Sequence, residues 1–511
     1  MSELLVATPL SLERLAVRAA RRPVRVVRTG MGPRRSRQVV PRLAAIPSRT
    51  LAVMGYCGAL ESTLRPGELL VANEIRDPDG AVIACPGAEI LAGELARAGL
   101  DVRVGPLASE PRLVTGAARG RLAEGGALAV DMESAWLAAA AAGRPLAVVR
   151  AVLDTPDREV HRPLATATGV IRASAALRRA VPVLERWSAA VRSRRVLLAG
   201  PRASCAGVDR AIAIVETALA AGGAPLYVRR QIVHNSHVVS ALEAQGAVFV
   251  EELDEVPDGA TVVFSAHGVA PAVRAEAERR GLRVIDATCP LVSKVHAEAR
   301  RFAARGMKIV LVGHSDHEEV EGITGEAPGQ ISVVGSPEEV RPLDLPPDGR
   351  VAYLTQTTLA VDETATVVAA LRERAPDLLG PNSDDICYAT QNRQDAVRAI
   401  ATACDRVLVV GSANSSNSIR LVEVAERAGA PARLIEDEGE IDLGWLAGAA
   451  TVGVTAGASA REEFVQRVVA GLGGLGEISI EERSVAEENV HFKLAAGLHR
   501  DRGLEGNGGE L

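Results

Sequence analysis

The chain has 511 residues, of which 47% are hydrophobic and 24% are charged, and its net charge is −6. This length predicts several domains, and the globular composition excludes a disordered chain. The scattered basic residues exclude a nucleic-acid partner. No apolar run reaches the length of a spanning helix, and the start MSELLVATPL lacks a signal-peptide pattern, so we expect a cytoplasmic protein without a membrane span.

The first predicted domain comprises residues 1–193. It opens with the apolar strand ELLVAT and closes with a long helical pattern from Ile171 to about Arg192. Between them lie, in chain order, the segments TGMGP, GYCGAL, LRPGELLVAN, AVDMESAWLA and VVRAVLDTPD. Glycine-rich turns after strands predict backbone N–H groups that are open to an anion.

In this order, the five segments resemble the purine nucleoside phosphorylase and nucleosidase superfamily. The resemblance implies an α/β domain that cleaves a purine nucleoside. It also implies that Glu13 serves the attacking group, that Met132 and Glu133 grip the ribose, and that Asp154 protonates the leaving purine. A catalytically inactive module that stabilises or regulates the rest of the chain is the alternative. Whether phosphate or water attacks stays open.

The second predicted domain comprises residues 194–494, and residues 495–511 are predicted to be a disordered tail. From Val196 onwards, apolar strands alternate with amphipathic helices. The strands are the segments VLLAG, TVVFSAHG, LRVIDATCP, KIVLVGHS, VAYLTQTT, RVLVVGSANSSNS and TVGVTAGAS. This alternation predicts parallel α/β sheets, which bind ligands at the carboxyl ends of their strands.

Three cysteines share one local pattern, in which each stands just before a predicted helix. They are Cys205 in ASCAGVDRA, Cys289 in DATCPLVSKVHA and Cys387 in DICYATQNRQDAV. We expect the helix N-termini to lower the pKa of the thiols, and the packed βα segments to bring three thiolates together. Three ligands would leave one iron of a [4Fe–4S] cluster open to a substrate oxygen. The other cysteines are interpreted as core residues: Cys57, Cys85 and Cys404.

Three histidines lie at strand ends or in loops: His234 in IVHNSH, His267 in FSAHG and His317 in GHSDHEEVEG. Imidazoles gathered with serine and asparagine, without a clamp of arginine or lysine, suit a diphosphate that is held with adjustable charge. Two further strand ends supply such side chains: Ser415, Ser416, Asn417 and Ser459. Helix capping is the alternative role for these polar residues.

The motifs of the second domain, in order, resemble 4-hydroxy-3-methylbut-2-enyl diphosphate reductase over residues 195–475. They are CAGVDRA, VHN, FSAHGV, DATCPLV, GHSDHEEVEG, LTQTTL, DDICYAT, GSANSSNS and VTAGAS. The resemblance implies a three-lobed α/β fold around a central [4Fe–4S] cluster held by Cys205, Cys289 and Cys387. It implies reductive removal of a hydroxyl from an allylic diphosphate, the last step of the non-mevalonate isoprenoid pathway, with a ferredoxin-type or flavodoxin-type electron donor.

The same resemblance assigns the polar residues. It implies that the diphosphate is bound by His234, His267, Ser415, Asn417 and Ser459, and that Ser416 lies next to them. Glu319, with His317 and Thr357, forms a proton relay to the substrate hydroxyl, which leaves only when protonated. Ser204 stands where the family usually has an aromatic residue. An iron–sulfur sensor or electron carrier is the rival interpretation, and it has no use for these converging groups.

Overall fold

The computed structural model describes residues 3–159, 163–347 and 349–494, without the side chains of residues 163–165. The predicted disordered tail lies outside these residues. The first of two compact units contains the described residues up to Val196, with Ile435–Val452 and Gln466–Glu481. The second contains Leu197–Leu434, Gly453–Val465 and the described residues from Glu482. Within the described part of the chain, no helix combines the length and the apolarity needed to cross a membrane.

The first eight strands form one mixed sheet in the order β2-β1-β3-β7-β6-β4-β5, with β8 paired to both β3 and β4. Their bounds are β1 Leu4–Thr8, β2 Arg25–Arg28, β3 Thr50–Ala59, β4 Leu69–Arg76, β5 Val82–Ala84, β6 Val102–Ser109, β7 Ala129–Asp131 and β8 Leu146–Asp154. The pair β3 and β8 is parallel along most of its length. The inner strands are buried because their residues are almost continuously apolar, as in LLVAT of β1, whereas the strands at the two ends of the order, β2 and β5, are partly exposed.

Six helices accompany this sheet: α1 Ser11–Arg18, α2 Pro33–Ala44, α3 Ala88–Arg97, α4 Ala117–Glu124, α5 Ser134–Ala138 and α6 Pro163–Ala190. A 3₁₀ turn follows α5 at Ala139–Ala141. Helix α6 begins before the predicted Ile171, because the alanine-rich segment after Pro163 continues the helix and proline suits a first helical position. The polar ends of β1, β7 and β8 lead into the candidate site of this unit.

The later strands form three separate sheets. A four-stranded sheet has the order β11-β10-β12-β13, a three-stranded sheet has β15-β14-β16, and a five-stranded sheet has β18-β17-β19-β9-β20. The bounds are β9 Arg194–Gly200, β10 Leu226–Arg229, β11 Ala247–Val250, β12 Thr261–Phe264, β13 Arg283–Asp286, β14 Lys308–Val312, β15 Ile331–Val334, β16 Val351–Thr355, β17 Arg406–Val410, β18 Ala432–Ile435, β19 Thr451–Ala456 and β20 Ile478–Ser484. The first two sheets are parallel throughout. Three sheets agree with the implied three lobes, and the predicted α/β class is confirmed.

Helices follow most of these strands: α7 Ala206–Gly222, α8 Ser236–Glu243, α9 Pro271–Arg279, α10 Pro290–Ala304, α11 Glu318–Thr324, α12 Pro337–Val340, α13 Val361–Arg374, α14 Tyr388–Ala401, α15 Ser416–Arg427, α16 Leu443–Leu446 and α17 Glu462–Gly473. Short 3₁₀ turns lie at Leu253–Glu255 and Glu438–Glu440. Several of these helices begin at a residue that was singled out in the sequence. Helix N-termini lie at the carboxyl ends of parallel strands, so the fold places these residues at the strand ends where ligands bind.

Candidate functional sites

One cavity in the second unit gathers every site residue predicted for the second domain. We call it the cysteine cavity, and among its lining residues are Cys205, His234, His267, Cys289, His317, Glu319, Thr357, Cys387, Ser415, Ser416, Asn417 and Ser459. These residues come from separate βα segments along more than 250 residues of chain, between Cys205 and Ser459. The cavity is thus a product of the tertiary fold.

The three cysteines of this cavity are each the N-cap residue of a helix, namely α7, α10 and α14. A Cβ placed on Gly207 would lie 2.7 Å from Cys289 Sγ and 3.8 Å from Cys205 Sγ, so these two sulfurs face the same space. Cys387 Sγ accepts a hydrogen bond from Thr390 N at 3.3 Å. The helix-start pattern predicted from the sequence is therefore the one that the structure has.

The expectation that the helix N-termini lower the thiol pKa values is wrong for two of the three cysteines. Burial raises the pKa of Cys289 to about 11 and that of Cys387 to about 12, and nearby thiols add to the rise. Desolvation therefore outweighs the helix dipole. Deprotonation of Cys289 and Cys387 in this cavity needs concentrated positive charge beside the thiols. The donor set thus fits an iron–sulfur cluster, whose irons supply that charge.

Three imidazoles form one packed group in the cavity. His234 and His267 are stacked with ring centroids 4.1 Å apart, and His317 meets their edges at 5.5 and 5.8 Å. Burial lowers the pKa of His234 to about 3, that of His267 to about 4 and that of His317 to about 3. These rings are therefore neutral near pH 7, when each carries one N–H donor and one acceptor.

Glu319 lies at the start of α11 and is 1% exposed. Its Oε1 accepts a hydrogen bond from Thr357 N at 2.8 Å, and its Oε2 accepts one from Thr357 Oγ1 at 2.9 Å. Its own N–H donates to His317 Nδ1 at 3.1 Å. Burial raises the pKa of Glu319 to about 7, against these hydrogen bonds. The three residues thus form a connected chain around a carboxyl that can hold a proton at neutral pH.

Hydroxyl and amide groups line another part of the cavity at the start of α15. Ser459 Oγ donates to Ser415 Oγ at 3.2 Å, and Ala458 N donates to Asn417 Oδ1 at 2.9 Å. Ser415 also caps α15, which shows that the capping alternative and the cavity position coexist. Neutral donors at a helix N-terminus suit the oxygens of a phosphate group.

A second cavity, in the first unit, gathers every site residue predicted for the first domain. We call it the carboxylate cavity, and its lining includes Glu13, Met31, Tyr56, Cys57, Arg112, Leu113, Arg119, Asp131, Met132, Glu133 and Asp154. Glu13 accepts hydrogen bonds from Tyr56 N at 2.8 Å and from Leu10 N at 2.5 Å. Burial raises the pKa of the Glu13 carboxyl.

Glu133 and Asp131 share a buried arginine, Arg150. The guanidinium is fully buried, pairs with Asp131, and lies 3.8 Å from Glu133 Oε2. Burial raises the pKa of Glu133 to about 7, and Arg150 opposes that rise. The turn TGMGP is not open to an anion at Gly32, because Gly32 N donates to Glu133 Oε1 at 3.0 Å. This carboxylate thus takes the N–H that the sequence assigned to a ligand.

Asp154 is paired with Arg119 inside the carboxylate cavity. Arg119 Nη2 donates to Asp154 Oδ2 at 2.6 Å, and the two side chains are only 2% and 4% exposed. This ion pair joins the end of β8 to helix α4. An arginine at this distance orients the carboxyl and stabilises its charge.

The residues of these sites that were not predicted from the sequence include Arg119, Arg150 and Phe492. Arg150 carried a signal, because a charge inside the apolar strand VVRAVLD is costly without a partner. Phe492 lines the cysteine cavity, which gains an aromatic side chain although Ser204 is not aromatic. Cys57 and Cys85 are buried as predicted, and Cys57 also lines the carboxylate cavity. Cys404 is partly exposed.

The second region is an α/β domain whose cavity gathers three cysteines, three histidines and a buried carboxyl group. A family model described as LytB protein matches residues 196–473, more than half of the chain. The chain therefore belongs to the LytB family, whose curated relatives are 4-hydroxy-3-methylbut-2-enyl diphosphate reductases. A second model, the phosphorylase superfamily, matches residues 8–185, so the predicted fusion of two families is confirmed.

The similarity to individual reductases is high. The reductase of Leifsonia xyli subsp. xyli is 58% identical over 309 residues, which cover 60% of this chain and 92% of that protein. The reductase of Acidothermus cellulolyticus is also 58% identical over 309 residues and is covered to 91%. The solved reductase of Plasmodium falciparum superposes with a TM-score of 0.58 at 37% identity, covering 60% of this chain and 97% of that one. The chain is an enzyme, and its C-terminal region has the reductase function of this family.

Proposed function

We propose that the C-terminal region converts 4-hydroxy-3-methylbut-2-enyl diphosphate to isopentenyl and dimethylallyl diphosphate. Replacing the hydroxyl by hydrogen consumes two electrons and two protons and releases water. When bound by Cys205, Cys289 and Cys387, a [4Fe–4S] cluster would supply the electrons and the Lewis acidity that this step needs. A small ferredoxin or flavodoxin is the expected reductant.

The neutral side chains of the cysteine cavity bind the diphosphate in this proposal. His234 and His267 donate through ring N–H groups, Ser415 and Asn417 donate from the start of α15, and Ser459 donates from the turn after β19. Their contact with one cavity wall supports the assignment, as does the packing of the two imidazoles at 4.1 Å. Neutral donors bind the anion without the strong electrostatic hold of an arginine clamp, which favours product release.

Glu319 delivers the proton to the leaving hydroxyl. The observation that carries this role is its paired hydrogen bonding to Thr357 within the cavity that also holds the three thiols. Thr357 Oγ1 lies 2.9 Å from the carboxyl and can pass a proton onward after rotation. His317 holds the backbone of Glu319 and so fixes the direction of the carboxyl.

The test is anaerobic purification of the full chain followed by reduction of the allylic diphosphate with a chemical reductant. We expect about four irons per chain and conversion to the two isomeric diphosphates. Protein that has a full iron content but leaves the substrate unchanged would contradict the proposed reaction. Protein without iron would contradict the assignment of the cysteines.

We further propose that the N-terminal domain cleaves a purine nucleoside. Asp154 passes a proton to N7 of the base, Met132 and Glu133 hold the ribose, and Glu13 serves the attacking group. The gathering of all four in one cavity carries this proposal. The match to the phosphorylase superfamily supports it.

The rim of the carboxylate cavity points to a bulky substrate. Met31 is 51% exposed and Leu113 is 60% exposed, although both line the cavity. An apolar rim suits an adenine nucleoside that carries a large apolar group, such as an adenosylated polycyclic lipid. Adenine release from this lipid, from adenosine and from 5′-methylthioadenosine tests the idea. Cleavage of the small nucleosides alone would contradict the bulky substrate, and no release from any of them would favour an inactive regulatory module.

A further inference from the structure

The inner surface of the carboxylate cavity carries more negative than positive groups. Glu13, Asp131 and Glu133 are 2%, 5% and 4% exposed, and they face one fully buried arginine, Arg150. That guanidinium is already balanced by Asp131 and by Glu133, which lies 3.8 Å away. A phosphate ion would add charge of the same sign to a desolvated site, which is strongly unfavourable.

The donors that would hold a phosphate ion here are already taken by the protein. Gly32 N donates to Glu133, and Tyr56 N and Leu10 N donate to Glu13. In the same glycine-rich turn, Thr29 N donates to Thr8 O, and Gly30 N donates to Pro9 O. The backbone N–H groups that cradle anions in such turns therefore serve carboxylates and carbonyls.

The arginines that line this cavity, Arg112 and Arg119, do not bind phosphate through a paired edge either. Arg119 donates through Nε to Val114 O at 3.1 Å, through Nη1 to Ala59 O at 3.1 Å, and through Nη2 to Asp154. Arg112 is exposed to solvent. Bidentate recognition of phosphate needs a guanidinium edge that is both free and fixed, and neither arginine offers one.

One buried donor, Arg150 Nη1, has no hydrogen-bond partner among the described residues. A Cβ on Gly55 would collide with this Nη1 and would lie 2.7 Å from Glu13 Oε1, so the two groups lie close together and leave no room for an added atom between them. Glu13 lines the cavity. A neutral water molecule beside Glu13 can donate a hydrogen bond to the carboxylate, whereas a phosphate ion would place a second negative charge next to it.

We propose that the N-terminal domain is a hydrolase, in which water rather than phosphate attacks the nucleoside. This inference rests on the proposed nucleoside cleavage. The water oxygen forms the bond to C1′ while the C1′–N9 bond breaks and its electron pair passes to the purine. Glu13 takes a proton from the water, and Asp154, in its protonated form, gives its proton to N7. The products are the free sugar and the free base, and solvent restores the protonation of both carboxyls.

The test uses the full chain with adenosine, 5′-methylthioadenosine and the adenosylated lipid, each with and without inorganic phosphate. We expect adenine release at the same rate in both media, with a free reducing sugar as the second product. Release that requires phosphate and yields a sugar 1-phosphate would overturn the inference alone. No adenine from any substrate in either medium would overturn the proposed nucleoside cleavage, and the inference with it.

A pair of variants locates the base. Glu13→Gln should slow phosphate-independent adenine release by about 10²–10⁴-fold, because an amide cannot take the proton from water. The control Glu124→Gln alters an exposed carboxylate at the end of α4 and should keep the wild-type rate. Equal rates in the two variants would overturn the role of Glu13. The thermal unfolding midpoint of each variant shows whether a loss of rate arises from unfolding.

Discussion

The cysteine cavity and the carboxylate cavity differ in which groups surround their buried titratable side chains. In the first, burial leaves the key groups neutral: it raises the pKa of Cys387 to about 12 and lowers that of His317 to about 3. In the second, carboxyl groups lie beside buried arginines, as in the pair of Arg119 and Asp154, and Arg150 opposes the rise that burial causes in the pKa of Glu133. Burial alone therefore does not decide the charge of a side chain, because the neighbouring groups decide it.

This difference has a chemical consequence for each site. A cavity of neutral donors gains its charge from what it binds, which suits a metal cluster and a diphosphate. A cavity of paired charges has its electrostatics built in, which suits a neutral nucleoside and a proton exchange between fixed groups. Each of the following predictions concerns a variant, or a pH change, that alters a group in one of the two cavities.

The largest effect is expected at the thiols. Cys289→Ser should remove most of the iron and abolish reduction of the allylic diphosphate, because two thiolates hold a cluster poorly. Iron content per chain and product formation, measured anaerobically, check the outcome. The control Cys404→Ser changes a cysteine that does not line the cavity and should keep the iron. Full iron content in the Cys289 variant would show that this thiol is not a ligand.

Loss of the proposed proton donor, Glu319, should be the next largest effect. Glu319→Gln should bind iron and substrate normally but slow the reduction by about 10²–10⁴-fold, because the amide delivers no proton. The matched control is Glu321→Gln on the same helix, where the carboxylate is paired with Arg230 at the surface. Unchanged turnover in the Glu319 variant would mean that the proton enters by another group.

In the carboxylate cavity, the corresponding change is Asp154→Asn. It should abolish adenine release and leave the reductase rate intact, because an amide cannot protonate N7. The variant also leaves Arg119 buried without its anionic partner, so the thermal unfolding midpoint must be measured beside the rate. Asp157→Asn, an exposed aspartate in the following turn, is the control. Adenine release by a folded Asp154 variant would contradict its role as the acid.

The sequence was sufficient to place most of the site residues. Each of Cys205, Cys289 and Cys387 stands just before a predicted helix, and this pattern alone predicted a cap position that the structure has. The ordered motifs then predicted which strand ends meet, because chain order and parallel sheets restrict the topology. Glu13 and Asp154 were brought together by resemblance, since their separation in the chain carries no local signal.

What the sequence could not predict depends on tertiary contact. Arg119 and Asp154 are separated by 35 positions, and no local pattern indicates that they pair. The sign of the thiol pKa shifts was predicted wrongly because a helix start is visible in the sequence, while the depth of burial is not. The N–H of Gly32 is a second example. The sequence indicated a glycine-rich turn there, but it did not show that the carboxylate of Glu133, from another strand end, accepts the hydrogen bond of this N–H.

The smallest expected effect is a difference in pH dependence between the two activities. Burial raises the pKa of Glu319 to about 7, so this acid is protonated below that pH and loses its proton above it. Reduction should therefore fall as pH rises through about 7, by up to roughly tenfold per pH unit.

Glu133 has a pKa raised to about 7 by the same cause, yet it accepts hydrogen bonds from ribose hydroxyls most strongly, and through both oxygens, when it is ionised. Adenine release should therefore rise through the pH range in which reduction falls. Measuring kcat/KM for both reactions on one preparation checks this, and Glu319→Gln should flatten only the reductase profile. Parallel profiles would show that one of these carboxyls does not titrate in its activity. Opposite profiles would mean that burial has opposite effects on the two reactions although it raises the pKa of a glutamate in both. It favours the reduction, where Glu319 donates a proton, and it opposes adenine release, where Glu133 accepts hydrogen bonds.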